Sequence, residues 1–180
     1  MGSGSGPACD IRLNTRLTED QRRRFQNVDT IRRLLQESRT IAMVGLSSDP
    51  AKASQFVGTY LQHEGYRVVP VNPRAGKILG ERAWPDVTSI PFPVDLVDVF
   101  RPGRECVAVA EQAIAAGVPA IWFQLRIDAL EAAELAERAG LAVVLDRCVK
   151  MEHGRWAGSL HWAGMNTEIV SARKRQRGLA

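Results

Sequence analysis

Short apolar runs alternate with longer stretches of helical periodicity from Ile41 onward. The runs are rich in β-branched residues and nearly continuous, which is typical of parallel strands covered by helices on both faces. A strand that alternates with a helix in this way is a βαβ pattern. We therefore predict an α/β fold with a doubly wound parallel sheet. Its predicted strands are 41–45, 67–71, 94–100, 120–123 and 141–145.

Glycine follows three of the predicted helices. Apolar residues recur at helical spacing within residues 56–61, 107–114 and 130–135, and the periodicity stops before Gly65, Gly117 and Gly140. A glycine at this position commonly adopts the left-handed conformation that ends a helix. The three glycines therefore predict three helix ends between the strands.

The N-terminal region predicts one or two further helices packed on the sheet. Thr18 and Gln21 have the spacing of a capping box, and the charged segment after them carries apolar residues at helical intervals. Residues 72–93 are dense in proline and glycine, which indicates a long loop with one short helix near residues 86–90. Loops of this length are often functional.

The composition is that of one globular domain. The chain has 180 residues, of which 45% are hydrophobic and 24% charged. The formal net charge is +4, and residues 171–180 hold four of the basic side chains. The rest of the chain is close to neutral, which argues against a nucleic-acid-binding surface. We predict a disordered N-terminus or cloning remnant at 1–17, a folded domain at 18–160 and a basic tail at 161–180.

The cysteines and the hydropathy pattern favour a cytoplasmic protein. Cys9, Cys106 and Cys148 are odd in number and lack the CxxC spacing, so a disulfide framework or a zinc ribbon is not indicated. No apolar run approaches the ~20 residues that a transmembrane helix needs. The N-terminus is rich in glycine and serine, unlike a signal peptide.

The first loop after a strand, Gly45 to Ser54, has the composition of a phosphate site. Ligands of doubly wound sheets bind at the carboxyl ends of the strands. Gly45 allows a sharp turn, Ser47, Ser48 and Ser54 offer hydroxyls, and Lys52 offers a cation before the next helix. Phosphate can use all of these groups. An ordinary turn, in which a serine or aspartate caps the helix, explains the same residues.

This loop differs from two familiar nucleotide motifs. It matches neither GxGxxG nor GxxxxGK[ST]. Asn72, Pro73 and Arg74 stand after the second strand, where an NAD-binding domain carries an acidic residue. Arg74 suits an anionic group, and Pro73 could lie against an adenine, although an exposed turn is an equal alternative. After the third strand, Phe100 and Arg101 could form a wall of the same pocket, and a plain turn from strand to helix explains them equally well.

Residues 146–153 (DRCVKMEH) collect an acid, several bases, a thiol and an imidazole. A zinc site from Cys148, His153 and His161 would need a fourth ligand and a familiar spacing, which the sequence does not show. A nucleophilic Cys148 with His153 is the second reading. We favour a buried thiol beside a surface cluster of ion pairs. Trp122, within a strand, is predicted to be a core residue.

Residues 40–153 resemble the stand-alone CoA-binding domain proteins, which are related to the CoA-binding domain of the succinyl-CoA synthetase α subunit. The matching pieces are IAMVGLSSDPAKAS, YRVVPVNPRAGKILGE, PVDLVDVFR, QLRID and LDRCVKMEH, in the expected order. The resemblance covers about two-thirds of the chain. It implies a Rossmann-like five-stranded parallel sheet with strand order 3-2-1-4-5, preceded by the N-terminal helix or helices.

The resemblance also implies a ligand and a site. Coenzyme A, or acyl-CoA, is the implied cofactor, with its phosphates at the first loop and its adenosine beside the second. We extend this assignment by expecting either Lys52 or Arg74 to face the 3′-phosphate of CoA. The implied binding residues are Gly45, Leu46, Ser47, Ser48, Lys52, Ser54, Val71, Asn72, Pro73, Arg74, Phe100, Arg101 and Gln124. No catalytic or metal-binding residue is assigned.

Three hypotheses of function follow. The first is a non-catalytic CoA or acyl-CoA binding protein whose partner is a CoA-type small molecule, with no nucleic acid and no membrane. The second is an enzyme that acts on an acyl-CoA thioester through Cys148, His153 or Glu152. The third is an NAD(H)-binding redox sensor of related fold, which the missing acid after the second strand disfavours.

Overall fold

The computed structural model describes residues 17–157, in which seven strands form two sheets. Five strands make a parallel sheet, and two short ones make an antiparallel hairpin. The strands are β1 (Thr40–Val44), β2 (Arg67–Val71), β3 (Lys77–Ile78), β4 (Glu81–Arg82), β5 (Leu96–Val99), β6 (Ala120–Phe123) and β7 (Ala142–Leu145). The predicted α/β fold with a parallel sheet is confirmed, and all five predicted strands are present.

Six helices in the described part of the chain surround the sheet. They are α1 (Glu19–Phe25), α2 (Val28–Glu37), α3 (Ala53–His63), α4 (Gly103–Ala115), α5 (Leu130–Arg138) and α6 (Val149–Trp156). The N-terminal region forms two helices, and the capping box of Thr18 and Gln21 begins the first. The sequence did not predict α6, because residues 146–153 carry polar and charged side chains that suggested a site.

The order of the five parallel strands is β2-β1-β5-β6-β7. Residue Trp84 forms a parallel bridge with Val71 on the outer side of β2, where Trp84 N–H donates to the Pro70 carbonyl at 2.9 Å. The expected order 3-2-1-4-5 therefore differs in numbering. Beyond β2, in the position of strand 3 of the expected order, there is within residues 17–157 only the single bridged residue Trp84. The strand β5 lies beside β1, on the side opposite to β2.

The glycines after three helices adopt the expected conformation. The φ angles are +93° at Gly65, +67° at Gly117 and +90° at Gly140, all in the left-handed region. The predicted short helix near residues 86–90 is wrong. The Asp86 carboxylate there accepts hydrogen bonds from both the N–H and the hydroxyl of Ser89, which stabilise a turn.

The sheet separates two hydrophobic cores. Helices α1, α4 and α5 pack on one face, while α2, α3 and α6 pack on the other. Trp122 is fully buried in the second core, as predicted, and its Nε1 donates to the Arg147 carbonyl at 2.7 Å. Because α3 and α4 leave the adjacent strands β1 and β5 toward opposite faces, a crevice opens between their first turns.

The predicted terminal segments lie almost entirely outside the described residues. The disordered N-terminus or cloning remnant at 1–17 overlaps them only at Leu17, and the basic tail at 161–180 does not overlap them. Within residues 17–157, no helix combines the length and the apolar character that crossing a membrane requires.

Candidate functional site

A cleft of about 750 Å³ lies at the carboxyl ends of β1 and β2, beside the first turns of α4. This is the edge at which ligands bind in doubly wound sheets. Its walls come from three separate loops and one helix face. The lining residues are Val44, Gly45, Ser47, Lys52, Val71, Asn72, Pro73, Arg74, Pro85, Arg101, Arg104, Glu105, Ala108, Val109 and Gln112.

Gly45 lets the chain leave β1 through a tight turn. Its φ is +87°, and a Cβ placed on it would lie 2.7 Å from the Phe100 carbonyl oxygen and 2.8 Å from Cδ of Arg101. Both distances are shorter than a normal van der Waals contact. Glycine is therefore required for the backbone conformation and for the close approach of the loop after β5.

Hydrogen bonds within the first loop hold its shape. The Ser54 hydroxyl accepts from Ser47 N–H at 3.1 Å, and the Ser47 hydroxyl accepts from Asp49 N–H at 3.1 Å. Lys52 is the N-cap residue of α3, and its side chain makes no capping hydrogen bond. The first turn of α3 therefore offers N–H groups that no N-cap side chain satisfies.

Asn72 joins the second loop to the first. Its Nδ2 donates to the Leu46 carbonyl at 2.9 Å, and its Oδ1 accepts from Arg74 N–H at 2.9 Å. Asn72, which occupies the position of the acidic residue of NAD-binding domains, thus fixes the spacing between the two loops. Pro73 and Arg74 follow it as exposed residues on the wall of the cleft.

The charged side chains of the cleft are mostly basic. They are Lys52, Arg74, Arg101, Arg104 and Glu105. Arg101 Nε donates to Glu105 Oε2 at 2.7 Å, and Arg104 Nη2 lies 3.6 Å from Glu105 Oε1. Lys52 and Arg74 form no ion pair with any residue between 17 and 157. Within the described residues, Lys52 and Arg74 are therefore not neutralised by an acidic side chain and are available to an anion in the cleft.

Five of the thirteen predicted binding residues do not line the cleft. Leu46 is buried in the second core, Phe100 packs against that core, and Ser54 is buried beneath the loop. Ser48 is exposed and lies outside the cleft wall. Gln124, which is 4% exposed, donates through Nε2 to Asp98 Oδ1 at 2.7 Å. The other eight line the cleft together.

The wall of the cleft that α4 supplies was not predicted from the sequence. Glu105, Ala108 and Gln112 follow one another at intervals of three and four, so they share one helix face. Gln112 Oε1 accepts from Val87 N–H at 3.3 Å, which ties the long loop to α4. This spacing was visible in the sequence, but only the packing of α4 shows that the face borders the cleft.

The residues of the polar segment 146–153 are engaged in packing. Burial raises the pKa of the Cys148 thiol and lowers the pKa of His153, whose Nδ1 lies 2.9 Å from the Tyr60 hydroxyl oxygen. Glu152 is 3% exposed and accepts from Trp156 Nε1 at 3.0 Å. The expected cluster of ion pairs is present, but it is not at the surface for Glu152, whose buried carboxylate lies 3.5 Å from Arg147 Nη1 and 3.3 Å from Arg155 Nη1.

No group of three or more histidine, cysteine or acidic side chains within residues 17–157 is placed to hold a metal ion. His161, the third residue of the zinc site considered above, lies outside the described residues. A second cavity of about 650 Å³ lies at the amino end of β5 and β6, between residues 87–95 and 116–119. Apart from Asp95, its lining side chains are apolar, and they lack the basic groups of the first cleft.

Comparison with known proteins identifies the family. Residues 39–154 match a family model described as a CoA binding domain. The chain belongs to this family. The match spans every strand of the parallel sheet and all of the cleft, so the CoA-binding domain contains the whole candidate site. The resemblance noted in the sequence is thereby confirmed.

Relatives of the CoA-binding domain include proteins of similar length and a part of a larger one. YneT of Bacillus subtilis (strain 168) is 36% identical over 123 residues, which are 68% of this chain and 91% of that protein. A structure of a hypothetical protein from Pyrococcus horikoshii OT3 is 37% identical, with a TM-score of 0.71, and the match covers 73% of this chain and 93% of that one.

The acetate–CoA ligase (ADP-forming) II subunit alpha of Pyrococcus furiosus (strain ATCC 43587 / DSM 3638 / JCM 8422 / Vc1) is 30% identical over 122 residues. The match covers 62% of this chain but only 27% of that subunit. The shared region is therefore a minor part of the ligase subunit.

Proposed function

We propose that the protein binds coenzyme A, or an acyl-CoA, in the cleft at the carboxyl ends of β1 and β2, and that it does so without catalysing a reaction. The observation that carries this proposal is the placement of Lys52 and Arg74 on two adjacent loops of this cleft, free of ion pairs with residues 17–157. The membership of the chain in the CoA-binding domain family supports the choice of ligand.

The phosphates of CoA are placed at the first loop. Gly45 brings the backbone close to the ligand, Ser47 lines the cleft, and Lys52 supplies a positive charge. The first turn of α3 adds N–H groups and the positive end of the helix dipole. These groups together suit a diphosphate better than a neutral ligand.

The adenosine is placed between the second loop and α4. Val71, Asn72 and Pro73 form one side, and Ala108 and Val109 form the other. Proline and small apolar side chains offer flat surfaces against which a purine ring can lie. In this arrangement Arg74 or Lys52 faces the 3′-phosphate.

The predicted residues that lie outside the cleft wall support its shape in this proposal. The Leu46 carbonyl holds Asn72, the Ser54 hydroxyl holds the Ser47 backbone, and the Phe100 backbone lies against Gly45. They act through the loops instead of through contact with the ligand. Ser48 and Gln124 stay predicted binding residues, and neither lines the cleft.

The local chemistry favours binding over catalysis. A thiol with a raised pKa is mostly protonated near neutral pH and is a weak nucleophile, which applies to Cys148. His153 is engaged with Tyr60, and Glu152 with Trp156. These contacts engage two of the three side chains that a thioester enzyme would need, and the third is the weakly nucleophilic Cys148.

Thermal denaturation with CoA, dephospho-CoA and NAD tests the proposal. A ligand at ~100 times its dissociation constant adds about 2.7 kcal/mol of stability, which shifts the Tm of a domain of this size by several degrees. We expect a shift with CoA, a smaller one with dephospho-CoA and none with NAD. A shift with NAD and none with CoA would overturn the ligand assignment.

Charge reversal tests the two cations. We expect Lys52→Glu and Arg74→Glu to weaken CoA binding in isothermal titration calorimetry by at least about tenfold, since each reversal replaces an attraction with a repulsion. Lys77→Glu is the matched control, because Lys77 is exposed on β3 and does not line the cleft. A variant that weakens CoA and dephospho-CoA equally does not contact the 3′-phosphate.

A further inference from the structure

One acidic side chain stands among the four basic ones on the cleft wall. Glu105, in the first turn of α4, accepts from Arg101 Nε at 2.7 Å and also from its Nη2. Arg104 Nη2 lies 3.6 Å from the other carboxylate oxygen. The Glu105 carboxylate therefore forms an ion pair with Arg101 and lies near the guanidinium group of Arg104.

This ion pair fixes Arg101 across the first loop. A Cβ on Gly45 would lie 2.8 Å from Cδ of Arg101, so the arginine stem lies directly against the Gly45 backbone. The Arg101 side chain is about half exposed and lines the same cleft as Lys52. Its guanidinium group is thus within the cleft, where it donates hydrogen bonds to Glu105.

We propose that Glu105 is a specificity-determining residue that acts as an internal counter-ion: it holds Arg101 until a phosphate of the ligand takes its place. The inference rests on the proposed function, because the displacing anion is a phosphate of CoA. In the bound state Arg101 donates to the phosphate instead of to Glu105. No covalent step is involved.

The exchange sets how strongly the cleft prefers a highly charged ligand. A phosphate must compete with Glu105 for Arg101 and must lie near a like charge on the same wall, which reduces its affinity. The repulsion grows with the negative charge of the phosphate group that lies beside Glu105. Glu105 therefore weakens the binding of anions and limits how strongly the cleft prefers a highly charged ligand.

The Glu105→Gln variant tests this role. Glutamine keeps the size and hydrogen-bonding oxygen of the side chain while removing its charge. We expect CoA to bind about three- to tenfold more tightly in isothermal titration calorimetry at low salt, with a smaller gain at 0.5 M salt because charges in the open cleft are screened. The matched control is Glu111→Gln, an exposed glutamate of the same helix outside the cleft, which is expected to leave affinity unchanged.

A second background separates exchange through Arg101 from simple repulsion. If Glu105 acts by occupying Arg101, the gain from Glu105→Gln falls below about twofold when Arg101 is already Gln. In wild-type protein, the ¹⁵N–¹H signal of Arg101 Nε should move when CoA is added. In the Glu105→Gln variant without CoA, the Arg101 Nε signal should differ from its position in wild type without CoA, because the ion pair is absent.

The outcomes separate this inference from the proposed function. If wild type and Glu105→Gln both fail to bind CoA, the proposed function is wrong and the inference with it. If wild type binds CoA while Glu105→Gln binds equally or more weakly, only the counter-ion role is overturned. A gain that persists in full in the Arg101→Gln background also overturns it, because the exchange requires Arg101.

Discussion

Gln124, the residue that follows β6, forms a buried hydrogen bond with Asp98 of β5. Gln124 Nε2 donates to Asp98 Oδ1 at 2.7 Å, and both side chains are almost entirely buried. Asp98 Oδ2 is buried as well and has no hydrogen-bond partner among residues 17–157. Burial raises the pKa of Asp98 to about 7, although the Gln124 hydrogen bond lowers it in part. The carboxyl group therefore titrates near neutral pH in the folded protein.

Stability should depend on the protonation of Asp98. The pKa of Asp98 is 3.8 in the unfolded chain and about 7 in the folded one, so its stabilising contribution is complete below about pH 4. It is lost as the pH rises to 7. We expect Asp98→Asn to be more stable than wild type by about 2–4 kcal/mol at pH 8, with a much smaller difference at pH 5. Urea denaturation at both pH values measures this, and a pH-independent difference would contradict it.

Gly45→Ala should destabilise the protein more than the same change at Gly65. Both glycines have a positive φ, but a Cβ at Gly45 meets the Phe100 carbonyl, whereas a Cβ at Gly65 meets nothing within 4 Å. We expect a loss of about 1 kcal/mol at Gly65 from the backbone conformation alone, and about 2–4 kcal/mol at Gly45. Urea denaturation compares them, and equal losses would show that the close approach is relieved at no cost.

Gly103→Ala should disturb the start of α4. A Cβ on Gly103 would lie 2.0 Å from the Asp128 carbonyl oxygen, which is too close for any atom that is not bonded to it. We expect a loss of about 2–4 kcal/mol in urea denaturation, because the backbone must move. Gly76→Ala is the control, since its Cβ would meet nothing within 4 Å. A loss no larger than that of the control would mean that the β6–α5 loop yields easily.

Cys148 should react slowly with alkylating reagents. Burial raises the pKa of its thiol above the ordinary value of 9.0, so little thiolate is present at pH 7.5. In a Cys9→Ser background, we expect iodoacetamide to modify Cys148 more slowly than it modifies free cysteine, as followed by mass spectrometry. Rapid alkylation with a midpoint below pH 8 would instead favour the thioester enzyme.

Much of the fold was predictable because strands and helices are encoded locally. The runs that form β1, β2 and β6 are apolar on both faces, and three glycines at helix ends adopt the left-handed conformation that they predicted. The first two loops of the cleft were predictable for a related reason. Parallel strands place their carboxyl ends at one edge, so Gly45 and Arg74 were expected there.

The remaining features depend on residues that are distant in sequence. Helix α6 is largely polar, and it is stabilised because its few apolar residues, such as Val149 and Trp156, pack in the second core. The place of Trp84 beside β2 and the contact of α4 with the cleft arise in the same way. Secondary-structure propensity does not specify such contacts.

The sequence by itself therefore determined the α/β class, the strands of the parallel sheet and two of the three loops that form the walls of the cleft. Only the tertiary structure decided that Arg101 lies across Gly45 and is held by Glu105, and that Asp98 and Gln124 share a buried hydrogen bond. The physical reason is that periodicity reports which face of an element is apolar. The partner of a charged or polar side chain is set by how those elements pack.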